Sequence, residues 1–372
     1  MNIGFDAKRA FLNNSGLGNY SRNLILGMME LFLEHQYVLF TTEQKINFLQ
    51  QYHPNVLIKQ PSKIIDRIFP SYWRSNLITK EKDFRFLDVY HGLSAELPMN
   101  IHKFKGKKVV TIHDLIFELY PEYYSKIDRF IYRKKTKYAC ENADVIIAAS
   151  NQTKSDLIQI YQVDEGKIHT VYQMYEEPAQ NRNGIILNKK KENNQMGDKP
   201  YIVYISSFNP RKNHIRLLKA FKEAQLESEF QLVFIGQENS YVDKIKKEIS
   251  ALYLEQKVRL HLDLSDLQVS EVLKNSLAMV YLSEYEGFGI PILEGYAAGK
   301  SILASNTSSM KEIGQDACIL VNPLDIDEIA NGLKQLVVDS TEHEIRKLEG
   351  RKKMNELFSK KVFVKNTFQY YL

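Results

Sequence analysis

Residues 278–299 read AMVYLSEYEGFGIPILEGYAAG, and the fold turns on how this stretch is divided. The apolar run AMVYLS (Ala278 to Ser283) reads as a buried strand. Pro291 suits the first turn of a helix, where its missing N–H costs nothing, and Gly299 fits just past the end of that helix, where a left-handed conformation is often needed. Between strand and helix lies the tight loop Gly287-Phe288-Gly289. The amides from Gly287 to Ile290 then point outward with the positive end of the helix dipole behind them, an arrangement that suits a phosphate or a sugar oxygen. Glu286 stands on the loop and Glu294 about one turn inside the helix. They need not share a face, but they can reach two parts of one extended ligand, such as a diphosphate-linked sugar.

The same strand–loop–helix rhythm runs outward in both directions. NIGFDA, QYVLFTT, DVYHG, KKVVTIHD, DVIIAAS and KIHTVYQ read as strands of a first α/β unit, and YIVYISS, QLVFIG, VRLHL, AMVYLS, SILAS and CILVN as strands of a second. Strands alternating with amphipathic helices argue for parallel, doubly wound sheets. The expected division is a first domain over residues 1–175, a polar linker over 176–199, a second domain over 200–354 and a terminal helix over 355–372. Two domains also suit a chain of 372 residues, given about 150 residues per domain.

Composition narrows the class. The N-terminus lacks the pattern of a signal peptide, and no apolar run approaches the length of a membrane span, so a cytosolic chain is expected. Cys140 and Cys318 are the only cysteines and sit in apolar surroundings, which favours buried thiols over a disulfide or metal site. The formal charge is +5, yet Lys45 to Lys137 alone carries 18 Lys and Arg against 9 Asp and Glu. Trp, Tyr and Phe are mixed into this basic region in RIFPSYWRSNLI, HKFKGKK and RFIYRKKTKY. That mixture suits either an anionic membrane surface or a solvated basic face with a few buried anchors. No nucleic-acid recognition motif accompanies the charge, so no nucleic-acid partner is expected.

Other candidate positions follow strands. In NNSGLGNY (Asn13 to Tyr20), Gly16 and Gly18 would let backbone approach a phosphate, though the pattern lacks the third glycine of a dinucleotide fingerprint. His113 and Asp114 end the strand VVTIHD, where open α/β sheets bind ligands; Asp114 could equally cap the next helix. In SSFNPRKNH (Ser206 to His214), Arg211 and Lys212 can neutralise a diphosphate. Asp325-Ile326-Asp327 reads as helix capping rather than as a metal motif. No nucleophile elbow, Walker loop or metal-ligand spacing occurs, so neither a metal nor an organic cofactor is expected.

Taken together, GLGNY, HD, PRKN, EGFGIPILE, SNTSSMKEIG and DACILVNPLD resemble the family 4 retaining glycosyltransferases, of the bacterial polysaccharide and O-antigen type, over nearly the whole chain. The resemblance implies the GT-B fold, with two Rossmann-like domains facing each other across a cleft. It assigns Glu294 to the donor ribose, Glu286 to hydroxyls of the transferred sugar, the amides of Gly287, Phe288, Gly289 and Ile290 to sugar and phosphate oxygens, and Lys212 to the diphosphate. Gly16 and Gly18 would close near the phosphates, His113 would lie near the reacting face of the sugar, and Asp114 would meet the acceptor. Many members carry Gly-Arg where this chain has Ser206-Ser207; Ser207 is kept as a donor contact, and Arg211 is the candidate substitute for the missing arginine. The implied reaction moves a hexose, with mannose one candidate, from a nucleotide-diphosphate sugar to a lipid-linked or polysaccharide acceptor at the inner face of the plasma membrane. It proceeds with retention and without a metal. The alternatives are a nucleotide-sugar epimerase of the same fold and a non-catalytic nucleotide-sugar-binding subunit.

Overall fold

The computed structural model describes residues 1–49, 53–176, 199–338 and 340–372. Met1–Met174 together with Leu357–Leu372 form one compact unit, and Tyr175–Glu356 form the other. Most of the expected linker, 177–198, lies outside the described residues.

Unit 1 is built on a seven-stranded sheet in the order β3-β2-β1-β4-β5-β6-β7. Its strands are β1 Asn2–Asp6, β2 Gln36–Phe40, β3 Val56–Lys59, β4 Val89–Gly92, β5 Lys107–Ile112, β6 Val145–Ala148 and β7 Ile168–Thr170. Every pairing is parallel. Parallel strands are covered on both faces, so they read as apolar runs rather than as alternating ones. Accordingly, Ile3, Phe5 and Leu39 pack in a core on one side, and Val38, Phe40, Tyr90, Val110 and Ile112 in a core on the other. β3 is the one strand that the apolar pattern misses. It has four residues, sits at the sheet edge and is only partly buried, so PNVLIKQ carries little of the signal that marks the others.

Unit 2 carries a six-stranded sheet in the order β10-β9-β8-β11-β12-β13. The strands are β8 Tyr201–Ile205, β9 Gln231–Gly236, β10 Val258–Leu262, β11 Ala278–Tyr281, β12 Ser301–Ser305 and β13 Ile319–Val321. These pairings too are all parallel. The direction of winding reverses between β1 and β4 in unit 1 and between β8 and β11 in unit 2. A crevice opens beyond the carboxyl ends of strands at such a switch point. The loops after β8 and β11 therefore become neighbours although they lie far apart in sequence.

The tail belongs to unit 1. Helix Lys360–Phe368 packs on helix Gly16–Leu31, with Phe363 and Val364 in the core. A Cβ on Gly27 would stand 2.4 Å from Val364 Cγ2, so the glycine permits this close crossing. Phe368 stacks on Phe32 at 3.8 Å, and the Tyr371 hydroxyl meets His91 Nδ1 at 2.6 Å. Side chains buried this way contribute about 1.5–3 kcal/mol each. Asp325 is the N-cap of helix Ile326–Val337 and accepts from Glu328 N at 3.0 Å, the capping role read for that acidic pair. Cys140 and Cys318 are both buried, one in each unit.

Candidate active site

In unit 2 the chain leaves β8, makes a short turn at Pro210–Lys212 and enters helix His214–Glu223 through Asn213, whose φ is 60°. Asn213 tolerates this left-handed conformation better than most residues, and its Nδ2 donates to Pro323 O at 2.6 Å. The turn places Arg211 and Lys212 against the loop that follows β11. Arg211 Nη1 donates to Ser283 Oγ at 3.0 Å and to Glu286 Oε1 at 2.7 Å, and also to Tyr285 O. Lys212 Nζ donates to the same Glu286 oxygen and to Tyr281 Oη at 3.0 Å. Burial alone would raise the Glu286 pKa, but the charges of Lys212 and Arg211 outweigh it and hold the carboxyl at about 2. Glu286 is therefore ionised across the physiological range. Two cations share this one carboxylate oxygen.

The sequence reading assigns Glu286 to sugar hydroxyls, Lys212 to the diphosphate and Arg211 to the place of a missing arginine, and it does not foresee their pairing with one another. The structure joins them in one ion-paired group, because the switch point sets their two loops side by side. The rest of the loop is held from β12's far end: Ser308 Oγ accepts from Glu286 N at 3.0 Å, and Ser309 Oγ donates to Glu286 O at 2.9 Å. Gly289 is the N-cap of helix Ile290–Ala297 with φ 115°, a conformation that side chains strain to adopt, and Pro291 falls in the first turn. Gly287 and Phe288 are buried on the loop, and Ile290 opens the helix. Ser207 is exposed, and its Oγ accepts from Asn209 Nδ2 at 2.9 Å.

Glu294 lies inside that helix in a different setting. Its Oε2 is buried with no hydrogen-bond partner among the described residues. Burial, with a smaller contribution from Asp266, raises the carboxyl pKa to about 7. A buried carboxylate oxygen without a donor is costly in a native protein. A ligand hydroxyl would relieve that cost.

In unit 1, Gly16 is the first residue of helix Gly16–Leu31, and a Cβ there would meet nothing within 4 Å. Gly18 differs: a Cβ would lie 1.8 Å from Asn13 O, so this glycine is needed for packing whether or not a ligand binds. His113 follows β5. Its Nε2 donates to Leu93 O at 2.9 Å, and its ring meets Tyr20 edge-on at 4.5 Å. Burial lowers its pKa to about 4 in spite of the Leu93 bond, so the ring is neutral near pH 7. With Nε2 as the donor, Nδ1 is the acceptor. Asp114 Oδ1 accepts from Ile116 N at 3.0 Å in a turn one residue ahead of Leu115, the N-cap of helix Ile116–Leu119.

Two sets of residues escaped the sequence reading. Behind His113, Tyr20 Oη meets Thr111 Oγ1 at 2.9 Å, Thr111 meets His91 Nε2 at 2.8 Å, and His91 meets Tyr371. Tyr20 stands inside GLGNY and Thr111 inside VVTIHD, but neither residue is a candidate in the sequence reading. The second set is the buried chain of Asp6, Arg74 and Glu96. Arg74 donates to Asp6 Oδ2 at 2.5 Å and also to Glu96. Arg74 and Trp73 stand in RIFPSYWRSNLI, a stretch with the look of an exposed basic surface; both are buried. Arg74 is drawn in by its two carboxylates, and Trp73 donates from Nε1 to Glu81 at 2.9 Å.

Two doubly wound units, each built on an all-parallel sheet, are the architecture of the GT-B fold. Comparison with known proteins agrees. Residues 14–175 match the model of Glycosyltransferase Family 4, and residues 186–355 match that of Glycosyl transferases group 1. The chain belongs to this family of glycosyltransferases. It is 27% identical over 265 residues to the O-antigen chain mannosyltransferase B of Escherichia coli, covering 70% of this chain and 68% of that protein. Among solved structures it resembles the sucrose-phosphate synthase of Thermosynechococcus elongatus, with a TM-score of 0.76 at 18% identity, covering 100% of this chain and 98% of the other. It also resembles Anabaena Alr3699/HepE in complex with UDP-glucose, with a TM-score of 0.75 at 16% identity over 99% and 98% of the two chains.

Proposed function

We propose that the chain transfers a hexose, with mannose the first candidate, from a nucleotide-diphosphate sugar to a lipid-linked or polysaccharide acceptor during cell-surface glycan assembly. The observation that carries this reading is Glu294. A carboxyl whose buried Oε2 has no hydrogen-bond partner among the described residues lies about one helical turn beyond a loop where two cations meet Glu286. Ribose hydroxyls would satisfy the carboxylate. The diphosphate would meet Arg211, Lys212 and the amides at the helix start.

In the reaction the acceptor oxygen bonds to the anomeric carbon on the face from which the diphosphate leaves. The carbon–oxygen bond to the diphosphate breaks, its electron pair stays on the phosphate oxygen, and the acceptor proton passes to that oxygen. Arg211 and Lys212 stabilise the charge that develops there, with single contacts of this kind worth about 3 kcal/mol. This assignment needs no metal. Glu286 is committed to the two cations, which disfavours it as a nucleophile and favours direct same-face attack. A lipid-linked acceptor also implies work at the cytoplasmic face of the membrane. No helix among the described residues is long and apolar enough to cross a membrane, so attachment would be peripheral.

The mannosyltransferase relative supports mannose, while the UDP-glucose-bound neighbour supports only a nucleotide sugar in general. NMR of the product anomer tests the mechanism: the donor's anomeric configuration should be kept, and inversion would overturn same-face attack. Incubating donor without acceptor separates transfer from epimerisation, because an epimerase would change the sugar with no acceptor present.

A further inference from the structure

Strands β8, β11 and β12 lie side by side in unit 2, and after each of them the chain enters a helix through a residue in the left-handed region. Asn213 has φ 60° after β8 and Gly289 φ 115° after β11, and both residue types accept that conformation readily. After β12 the residue is Ser308, with φ 48°, which opens helix Ser308–Gly314. A glycine would take this conformation with less strain. The side chain of Ser308 makes one hydrogen bond among the described residues, accepting from Glu286 N at 3.0 Å. Strain of this kind persists only where the surroundings enforce it, and it gathers at functional sites.

Ser308 is one of four hydroxyls at the end of β12 that grip the loop after β11. Ser305 Oγ donates to Ser283 O at 2.7 Å, Thr307 Oγ1 to Glu284 O at 3.1 Å and Ser309 Oγ to Glu286 O at 2.9 Å. Arg211 adds to the hold: its carbonyl accepts from Glu284 N at 2.9 Å, and its Nη1 donates to Tyr285 O. Two consecutive peptide planes are fixed as a result. In the first, Arg211 holds Tyr285 O and Ser308 holds Glu286 N. In the second, Ser309 holds Glu286 O. A planar trans peptide carries its C=O and N–H on opposite sides, so Ser309 also sets the direction of the Gly287 N–H.

We propose that Ser308 and Ser309 are positioning residues for sugar transfer: they hold Glu286 against its two cations and aim the Gly287 N–H at the donor. The left-handed turn at Ser308 is the conformation that carries its hydroxyl to the Glu286 N–H. The proposal rests on the reading above, in which the donor meets this loop. Neither hydroxyl has to touch the donor. Preorganised groups act most strongly on the charge that develops in the transition state, so loosening these planes lowers turnover more than it weakens donor binding.

Steady-state release of nucleoside diphosphate from GDP-mannose and from UDP-glucose, beside a thermal melt of each protein, tests it. Ser308→Gly removes the hydroxyl and the strain together. It should melt at or above the wild-type temperature, yet its kcat should fall at least tenfold while the donor KM changes less than threefold. Ser308→Asn tolerates the left-handed conformation and restores an acceptor, so it should recover most of the lost turnover. Ser309→Ala should lower kcat by a factor similar to that of Ser308→Gly. A merely structural role predicts the opposite for Ser308→Gly, a changed melting temperature with kcat per folded molecule untouched. Wild-type kcat in Ser308→Gly, or equal losses in Ser308→Gly and Ser308→Asn, would overturn the proposal while leaving the donor reading standing. No release from either donor by the wild type would overturn the donor reading itself.

Discussion

Lys212→Met removes the buried ammonium while keeping most of its volume, and it separates a catalytic charge from a structural one. In the folded protein Lys212 is buried, donates to Glu286 Oε1 and Tyr281 Oη, and stands 5.0 Å from the centre of the Tyr281 ring. Breaking a fully buried ion pair typically costs about 3–5 kcal/mol because one charge is left stranded. Here Arg211 stays 2.7 Å from the same oxygen and keeps Glu286 neutralised. The stability cost should therefore be smaller, about 1–3 kcal/mol, within the roughly 5–15 kcal/mol that a domain can lose before it unfolds. The variant also loses one of the two positive charges beside Glu286. If that charge stabilises the leaving diphosphate, turnover should fall about 10²–10³-fold, equivalent to roughly 2.7–4 kcal/mol of barrier. The assay is release of nucleoside diphosphate at saturating donor, beside a thermal melt of each protein. A variant that melts within the expected range yet keeps more than a tenth of wild-type turnover would refute the reasoning and return Lys212 to a purely structural role.

Glu294→Gln should stabilise the ligand-free protein near pH 8. The native carboxyl has its pKa raised to about 7 by burial, above the roughly 4.3 of an unfolded glutamate, so stability is fullest below the unfolded value and is lost as pH rises towards 7. The glutamine should remove that decline, by about 1–3 kcal/mol, in denaturant titrations from pH 5 to pH 8; parallel profiles for the two proteins would contradict the assignment. Gly16→Ala and Gly18→Ala form a contrasting pair in thermal melts. The first should leave stability unchanged or raise it by up to about 1 kcal/mol, because alanine suits a helix better than glycine. The second should cost about 1–3 kcal/mol, because its methyl meets Asn13 O; if Gly16 contacts donor, its variant alone loses activity without losing stability. Tyr371→Phe should lower stability by about 1 kcal/mol through loss of the hydroxyl bond to His91, measurable as a lower denaturation midpoint, and no change would mean that the bond is replaced by water.

Among the described residues, twelve of the thirteen strands are legible because parallel strands are buried on both faces and announce themselves as apolar runs. β3 was not, being a short edge strand. The loop and helix of EGFGIPILE were legible for a local reason: proline at the start of the helix and glycine in the left-handed loop need no knowledge of distant residues. The ion cluster was not legible as a cluster. Lys212 and Glu286 are 74 positions apart, and only the adjacency of β8 and β11 brings them together. Glu294 could be assigned to a ribose, but its missing partner and raised pKa depend on what surrounds it in space. Arg74 shows the opposite failure, a basic residue in a basic aromatic stretch that two distant carboxylates pull into the core. The bond between His91 and Tyr371, 280 positions apart, likewise depends on where the tail docks.

Calorimetric titration of the wild type and Glu294→Gln with UDP and GDP tests the central claim most directly, since it asks whether the nucleotide part of the donor binds at the Glu294 carboxyl. At least one nucleotide should bind the wild type, and the variant should bind it at least tenfold more weakly. Equal affinity for wild type and variant, or no binding of either nucleotide to the wild type, would contradict the account.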